Sequence, residues 1–398
     1  MKAKKETKET KEAKKEMKKE IYLDYAATTP LDPQVLKEML PYFSEKYGNP
    51  SSMHEKGLEA KQAIEDSRKT IAKILNCNPG EIIFTSSGTE SINLALKGIA
   101  FANKDRGNHI ITSKIEHHVV LDTCKYLESQ GFRVTYLDVD KYGLVNPFDV
   151  ANAITGRTIL ISIMYSNNEI GTIQQIEEIG IIAKSRKVLF HTDACQSGLL
   201  DLDIKKLGVD LLTMNGSKIY GPKGSGILYI KEGIKITPLL HGGGQENKLR
   251  SGTENVPGII GFAKALELIQ KDKEKESKRL IELRDYLIKE LLEIPKTRLN
   301  GSTDKRLPNN VNITFFGVEG EAMVNQLSDL GIYISTGSAC DSKKEESSHV
   351  LRAIGLSAKN AQDIVRFSLG KYTKEEDINY VIKAVKEIVS KLRKVSVN

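Results

Sequence analysis

The sequence predicts an α/β fold: a large domain with a mostly parallel, seven-stranded sheet, followed by a smaller α+β domain. Short β-branched runs alternate with amphipathic stretches from Ile21 to about residue 235, which is typical of parallel strands connected by helices. After the glycine-rich segment 241–258 the pattern changes to a heavily charged helical run. The chain has 398 residues, 39% hydrophobic and 28% charged, as expected for a globular protein of more than one domain.

The first twenty residues differ in composition from the rest of the chain. They hold nine lysines and five glutamates, a charge of +4 out of +7 for the whole chain, and almost no apolar side chain. We expect a disordered tail in residues 1–20, with no direct binding of nucleic acid. The five glutamates and the absence of arginine argue against a mitochondrial targeting peptide. Since no run approaches about 18 apolar residues, we predict no membrane span and a cytoplasmic location.

The predicted strands of the large sheet are rich in β-branched and aromatic residues. They cover residues 81–86, 109–114, 133–139, 158–165, 188–193, 209–215 and 226–230. Apolar residues return at helical spacing between them, most clearly over 90–101, 119–129 and 176–184. We place the large domain at 21–258 and the small domain at 259–398, with the first residues after the tail as a candidate part of the small domain.

The smaller domain is predicted from fewer elements. They are a helical run over 258–292, strands over 310–316, 332–336 and 363–368, and a final helix over 374–392.

The segment FTSSGTES, residues 84–91, passes from a strand end through small residues into a helix. The N–H groups at a helix start favour an anion such as phosphate, and Gly88 permits close approach of the backbone. Small polar residues are also ordinary helix caps, and the lysine of a P-loop is missing. The segment alone leaves both interpretations open.

Two further strands end in residues that suit a cofactor. Asp193 ends a buried strand at the sheet edge where ligands bind. Its carboxylate is expected to cap a helix, to form an internal ion pair or to face a pyridinium nitrogen. Gln196, three residues further on, could face the same pocket. Lys218 follows the strand 209–215 and precedes a Gly/Pro-rich turn. An amine in such a pocket can form a Schiff base with a carbonyl, and the alternative is a surface lysine.

The cysteines are Cys77, Cys124, Cys195 and Cys340, too far apart for a disulfide framework or a zinc site, so no metal is predicted. Cys340 stands in a polar run without an apolar anchor, which predicts a mobile, exposed loop in which a thiol can ionise and react. Cys195 fits a buried structural role better.

Taken in order, these segments resemble the cysteine desulfurases, pyridoxal-phosphate enzymes of the class V aminotransferase family, in the group with a long catalytic loop. The resemblance is carried by IYLDYAATTPLDP from Ile21, SSGTES from Ser86, EHHVV from Glu116, NNEIGT from Asn167, HTDACQS from His191, NGSKIYGPKG from Asn215, HGGGQE from His241, RSGTEN from Arg250, STGSAC from Ser335 and IVRFSLG from Ile364. It implies the type I fold of pyridoxal-phosphate transferases and pyridoxal 5'-phosphate as the cofactor.

The resemblance implies a role for each matching residue. The cofactor contacts are Gly88, Thr89, His117, Asn168, Asp193, Gln196, Asn215, Ser217, Lys218 and Thr253. Among these, Lys218 binds the cofactor covalently and moves the substrate's α-proton, Asp193 pairs with the pyridine nitrogen, and His117 stacks on the ring and assists proton transfer. Thr253 reaches the phosphate in a neighbouring subunit, which implies a homodimer.

The remaining roles concern the substrate, L-cysteine. Arg366 binds its carboxylate, Asn168 lies on the substrate side of the cofactor, and Cys340 attacks its sulfur to form a persulfide. The sulfur acceptor implied is an iron–sulfur scaffold protein, with thiolation of tRNA through another carrier as a second route. Selenocysteine lyase activity and a non-catalytic assembly partner are the alternatives. Many relatives have Ser-Gly-His-Lys where this chain has Asn215-Gly216-Ser217-Lys218. An Asn amide and a Ser hydroxyl can still donate to phosphate oxygens, so we expect cofactor binding to be retained.

Overall fold

The computed structural model describes residues 20–337 and 348–395, and the strands are taken from these two ranges. In these ranges they are β1 (Ile21–Tyr22), β2 (Ile82–Thr85), β3 (His109–Ser113), β4 (Arg133–Leu137), β5 (Thr158–Ser162), β6 (Leu189–Asp193), β7 (Leu211–Asn215), β8 (Gly226–Ile230), β9 (Thr297–Leu299), β10 (Asn310–Phe315), β11 (Ile332–Tyr333) and β12 (Ile364–Ser368). Of the predicted tail 1–20, residues 1–19 lie outside the described residues.

The α-helices of the same ranges connect these strands. They are α1 (Pro33–Met39), α2 (Pro41–Ser44), α3 (Glu55–Leu75), α4 (Gly88–Ala102), α5 (His118–Ser129), α6 (Pro147–Ala153), α7 (Ile176–Arg186), α8 (Ile204–Leu207), α9 (Val256–Lys271), α10 (Lys273–Leu292), α11 (Gly320–Asp329), α12 (His349–Ala353) and α13 (Glu375–Val395). None of the described helices combines the length and the apolar composition needed to cross a bilayer.

The central sheet has the strand order β2-β8-β7-β6-β5-β3-β4. Within this sheet of described strands, β8 runs opposite to the other six, which confirms the predicted mostly parallel sheet of seven strands. Both faces are buried: Ile82 and Phe84 of β2 belong to one core cluster, and Ile83 belongs to the cluster on the opposite face. Burial on both faces explains why these strands are short, continuous apolar runs.

A second core lies around the antiparallel sheet β9-β10-β12. It contains Val311 and Ile313 from β10 together with apolar residues of α10, α11 and α13. Strand β1 pairs in parallel with β11, and Ile21 and Leu23 are buried in this same core. The first described residues of the chain therefore pack with its C-terminal part.

The helical run predicted over 258–292 is two helices in the structure, α9 and α10, separated at Asp272. Phe262 of α9 is buried in the core of the large sheet, whereas Leu280 of α10 is buried in the second core. Because the change of core comes after α9, we propose a domain boundary near Asp272 in place of the one predicted between residues 258 and 259.

A buried ion pair fastens the loop after β8 to helix α3. Arg68 Nη2 donates to Glu246 Oε1 at 2.7 Å, and the backbone N of Phe84 donates to Glu246 Oε2 at 2.8 Å. The side chains of Arg68 and Glu246 are only 8% and 3% exposed. The pair thus joins α3, β2 and the loop that leads to α9.

Replacing Glu246 with alanine is expected to lower the free energy of unfolding by about 3–5 kcal/mol, because it leaves the buried Arg68 charge without its partner. Urea denaturation of the purified variant measures this. Glu65→Ala is the matched control: Glu65 lies 3.4 Å from Nε of the same arginine but its side chain is 44% exposed. The control should cost less than about 1 kcal/mol, and equal losses in the two variants would contradict the explanation.

Candidate active site

A cavity of about 350 Å³ lies at the carboxyl ends of the central strands, between the two cores. It is lined by nearly all the described residues that the sequence singled out: Gly88, Thr89, His117, Asn168, Asp193, Gln196, Asn215, Ser217, Lys218 and Arg366. Thr253 is exposed and is not part of this lining, and Cys340 lies outside the described residues. The structure therefore brings ten predicted residues together, while their individual roles stay predictions.

Lys218 is placed by the end of strand β7. A single 3₁₀ turn, Gly216–Lys218, follows this strand directly. The backbone O of Ser217 accepts from Thr29 N at 2.8 Å, and Lys218 Nζ donates to the backbone O of Ala27. The segment that follows β1 is thereby held against Lys218. Residues from the central sheet and residues that follow β1 therefore both surround the lysine.

Asp193 is the last residue of β6 and is 7% exposed. Its Oδ1 accepts from Cys195 N at 2.9 Å, and none of the salt bridges among the described residues includes it. His191 supplies no positive charge, because burial lowers its pKa to about 4. A buried carboxylate requires a partner, and a protonated ring nitrogen in the cavity suits this one.

Helix α4 begins at the cavity with Gly88. Ser91 N is the first to donate to a carbonyl of the helix start, Ser87 O, at 3.1 Å, which leaves the N–H groups of Gly88 and Thr89 for another acceptor. A Cβ atom on Gly88 would lie 2.8 Å from Cys195 Sγ and 3.2 Å from Asn215 Nδ2, so only glycine fits. This cradle is a suitable site for a phosphate group.

Cys195 is a cavity residue that the sequence interpretation treated as structural. Its thiol interacts with the side chains of Asp193 and Asn215 and packs on Gly88. Burial, reinforced by Asp193, raises the pKa of this thiol well above its ordinary value, so it stays protonated. Its place two residues after the strand-ending Asp193 was the available signal.

His117 caps helix α5 at the wall of the cavity. Its Nδ1 accepts a hydrogen bond from Val119 N at 3.2 Å. In the neutral ring the proton is therefore assigned to Nε2. The cap fixes both the ring's position and its tautomer.

Arg366 lies in β12 and is 1% exposed. Its Nη2 donates to Asp24 Oδ1 at 2.8 Å and its Nη1 donates to the backbone O of Asn168 at 3.0 Å. Its Nε is buried and has no hydrogen-bond partner among the described residues. Asp24 was not predicted as part of the site, although it belongs to the motif at Ile21. A guanidinium has five N–H donors, so these two bonds leave donors for an acidic ligand.

The described residues on either side of 338–347 lie close to Arg366 and its neighbours. Ser335 exchanges backbone hydrogen bonds with Arg366, at 3.2 Å and 2.7 Å. After the gap, Ser348 Oγ donates to Glu169 Oε2 at 2.6 Å. Glu169 follows Asn168 of the cavity wall, so the chain enters and leaves the segment that contains Cys340 beside the cavity.

The family model for class V aminotransferases matches residues 21–381 of the chain. The chain belongs to the class V aminotransferase family. Within it, the cysteine desulfurase IscS of Methanosarcina thermophila is 55% identical over 379 residues, which are 95% of this chain and 94% of that protein. The resemblance inferred from the ordered motifs is thereby confirmed.

Solved structures of similar class V proteins confirm the predicted fold class. A NifS-like protein superposes with a TM-score of 0.88 at 41% identity, covering 94% of this chain and all (100%) of the other. A structure described as SspA in complex with cysteine gives a TM-score of 0.80 at 40% identity, covering 89% of this chain and 100% of the other.

Proposed function

We propose that the protein is a cysteine desulfurase, which removes sulfur from L-cysteine to give L-alanine and a persulfide on Cys340. The observation that carries the proposal is the shared cavity in which Lys218, Asp193, the start of helix α4 and Arg366 meet. These groups match the aldehyde and ring nitrogen of pyridoxal phosphate, its phosphate, and the carboxylate of an amino acid. Relatives named cysteine desulfurase supply the substrate class.

The residues present fit pyridoxal phosphate. The phosphate would be held by the N–H groups at Gly88 and Thr89, in the cradle that a Cβ atom would fill. The pyridine nitrogen would face Asp193, which is buried and outside every salt bridge of the described residues. Ser217 Oγ donates to Asn215 Oδ1 at 3.0 Å, which orients the Asn215 amide so that its Nδ2 offers a further donor to the phosphate.

When bound, pyridoxal phosphate supplies an electron sink for bonds broken beside the amino group. Lys218 Nζ would hold its aldehyde carbon and, once released by the substrate amine, would carry the α-proton. Asp193 would face the ring nitrogen and favour its protonated form. His117, with its proton on Nε2, would cover the ring and assist proton transfer, and Gln196 and Asn168 would line the substrate side.

Arg366 orients the substrate carboxylate. Its guanidinium is fixed by Asp24 and by the backbone O of Asn168, so little side-chain entropy is lost on binding. A charge-assisted pair with a carboxylate also points the substrate's side chain in one direction. We infer that this direction is toward the segment of Cys340, because Ser335 pairs with the backbone of Arg366.

Cys340 would receive the sulfur. Its thiolate attacks the substrate sulfur, a sulfur–sulfur bond forms, the carbon–sulfur bond breaks and its electron pair stays with carbon, which takes up a proton to become alanine. Cys340 is the third residue after Gly337, a span of at most about 11 Å in an extended chain. The position of Gly337, whose Cβ would lie 3.4 Å from Glu169 Oε2, is compatible with this reach.

The partners belong to the same proposal. A homodimer, with Thr253 of each chain serving the other's phosphate site, agrees with the exposure of Thr253 and its absence from the cavity lining. We propose an iron–sulfur scaffold protein as the sulfur acceptor and the cytoplasm as the location.

The test is to incubate the protein, loaded with pyridoxal phosphate, with L-cysteine and a reductant and to measure alanine and sulfide together. Equal amounts of both products are expected. If the cofactor binds and no alanine forms, the proposal fails. A turnover seen only with selenocysteine would make the protein a selenocysteine lyase, and failure to bind the cofactor would favour a non-catalytic assembly partner.

A further inference from the structure

Glu116 is a buried carboxyl group to which the proposed reaction assigns no part. It is 0% exposed and directly precedes His117. Its Oε1 accepts two hydrogen bonds, from Ser113 Oγ at 2.6 Å and from Met164 N at 3.0 Å. Its Oε2 is buried and has no hydrogen-bond partner among the described residues. This side chain therefore ties the end of β3 to the segment after β5 by one oxygen only.

The groups around Glu116 do not favour a negative charge. Asp193, at the end of β6, and the buried thiol of Cys124, on α5, are close enough to interact with it electrostatically. His349, at the start of α12, binds the backbone O of Glu116 through Nε2 at 2.9 Å, and its ring meets that of His118 edge-on at 4.5 Å. No salt bridge of the described residues includes Glu116. Burial, with Asp193 adding to it, raises the pKa of Glu116 to about 8.

We propose that Glu116 is a positioning residue that keeps its proton, so that it places no negative charge beside Asp193. Of the two carboxyl groups, Asp193 alone lines the cavity, where a cationic group of a ligand can reach it. Placing a second charge in the same apolar surroundings would cost several kcal/mol. The protonated form keeps both hydrogen bonds to Oε1 without that cost.

The hydrogen bonds of Glu116 fix one wall of the site. Ser113 and Met164 stand at the ends of neighbouring strands, and the turn between Glu116 and Val119 holds the His117 ring. A neutral carboxyl group can accept the two hydrogen bonds that join these segments, as the side-chain amide of a glutamine would. This part of the inference rests on the proposed function, in which His117 covers the cofactor ring.

The first test uses the protein without cofactor and compares wild type with Glu116→Gln by urea unfolding between pH 5 and pH 9. The folded state of wild type holds a proton on Glu116 that the unfolded state has lost above about pH 4.3. Its stability relative to the glutamine variant is therefore greatest at low pH and is lost as the pH rises toward about 8. The ratio of the two unfolding constants should change by up to tenfold per pH unit over this window.

The titration of His191 is common to both proteins and cancels in the ratio. Glu169→Gln is the matched control, since Glu169 is also buried on this side of the site but binds Ser348. A ratio that stays flat for Glu116→Gln means that Glu116 is ionised in the folded protein, and the proposal is then wrong. The same slope in the control would also overturn it, because the effect would not belong to Glu116.

The second test measures alanine formation by the loaded enzyme at pH 7. Glu116→Gln should keep the rate within about threefold, because it preserves a neutral acceptor, whereas Glu116→Ala should lose more than tenfold by releasing the two anchored segments. A loss in the glutamine variant equal to that in alanine shows that a charge is needed and contradicts the proposal. Should Glu116→Ala fail to fold, the glutamine result and the unfolding ratio still decide. Failure of the desulfurase proposal would appear as no alanine from wild type, with the unfolding ratio unaffected.

Discussion

Lys218→Ala is expected to abolish alanine formation from L-cysteine and the covalent retention of pyridoxal phosphate. The end of β7 places Lys218 Nζ at the cavity, where Ala27, Asn215 and Ser217 lie beside it. Loss of a positioned proton carrier alone lowers a rate by about 10²–10⁴-fold, and loss of the covalent attachment adds to this. The rate of alanine production and the near-visible absorbance of the protein after dialysis measure the two effects separately.

Lys223→Ala is the control for this variant. Lys223 also lines the cavity, but it is exposed and lies five residues further along the turn. A general effect of removing positive charge near the phosphate would lower cofactor affinity in both variants. Retained covalent cofactor in Lys218→Ala, or activity within tenfold of wild type, would show that another amine does the work.

The sequence predicted the central sheet well, because each of its strands can be identified from the residues of its own segment. A short apolar run ending in a small or polar residue, such as 188–193 before Ala194, carries its own evidence of burial and direction. The break at Asp272 was not predicted, since the residues of α9 and α10 have the same helical spacing and differ only in which core they reach. That choice depends on packing between distant segments.

The same distinction separates the site residues that were predicted from those that were missed. Asp193 and Lys218 follow strands at the sheet edge, so their position could be inferred locally. The contact of Asp24 with Arg366 joins residues 342 positions apart, through the pairing of β1 with β11 beside β12. No local pattern reports such a contact. Glu116 and Cys195 belong to the motifs EHHVV and HTDACQS, but only the folded structure shows that their side chains lie near Asp193.

Cys340→Ala is expected to stop persulfide formation and to lower sulfide release from L-cysteine on the order of 10³-fold or more, as removal of a covalent nucleophile does. Cofactor binding should be unchanged, because the cavity residues proposed to hold the cofactor are other residues. Mass spectrometry of the protein after one turnover, together with the sulfide assay, measures both. Selenide release from selenocysteine should fall less, because selenium leaves carbon more readily than sulfur does.

The thiol of Cys195 is the internal comparison, since it lines the same cavity. Its pKa is raised well above the ordinary value by burial beside Asp193, so the thiolate needed for attack is scarce there. In Cys195→Ala the added sulfur should therefore still be found on Cys340. A persulfide that disappears from Cys195→Ala and persists in Cys340→Ala would assign the nucleophile to Cys195, and Cys340 would then have no part in the chemistry.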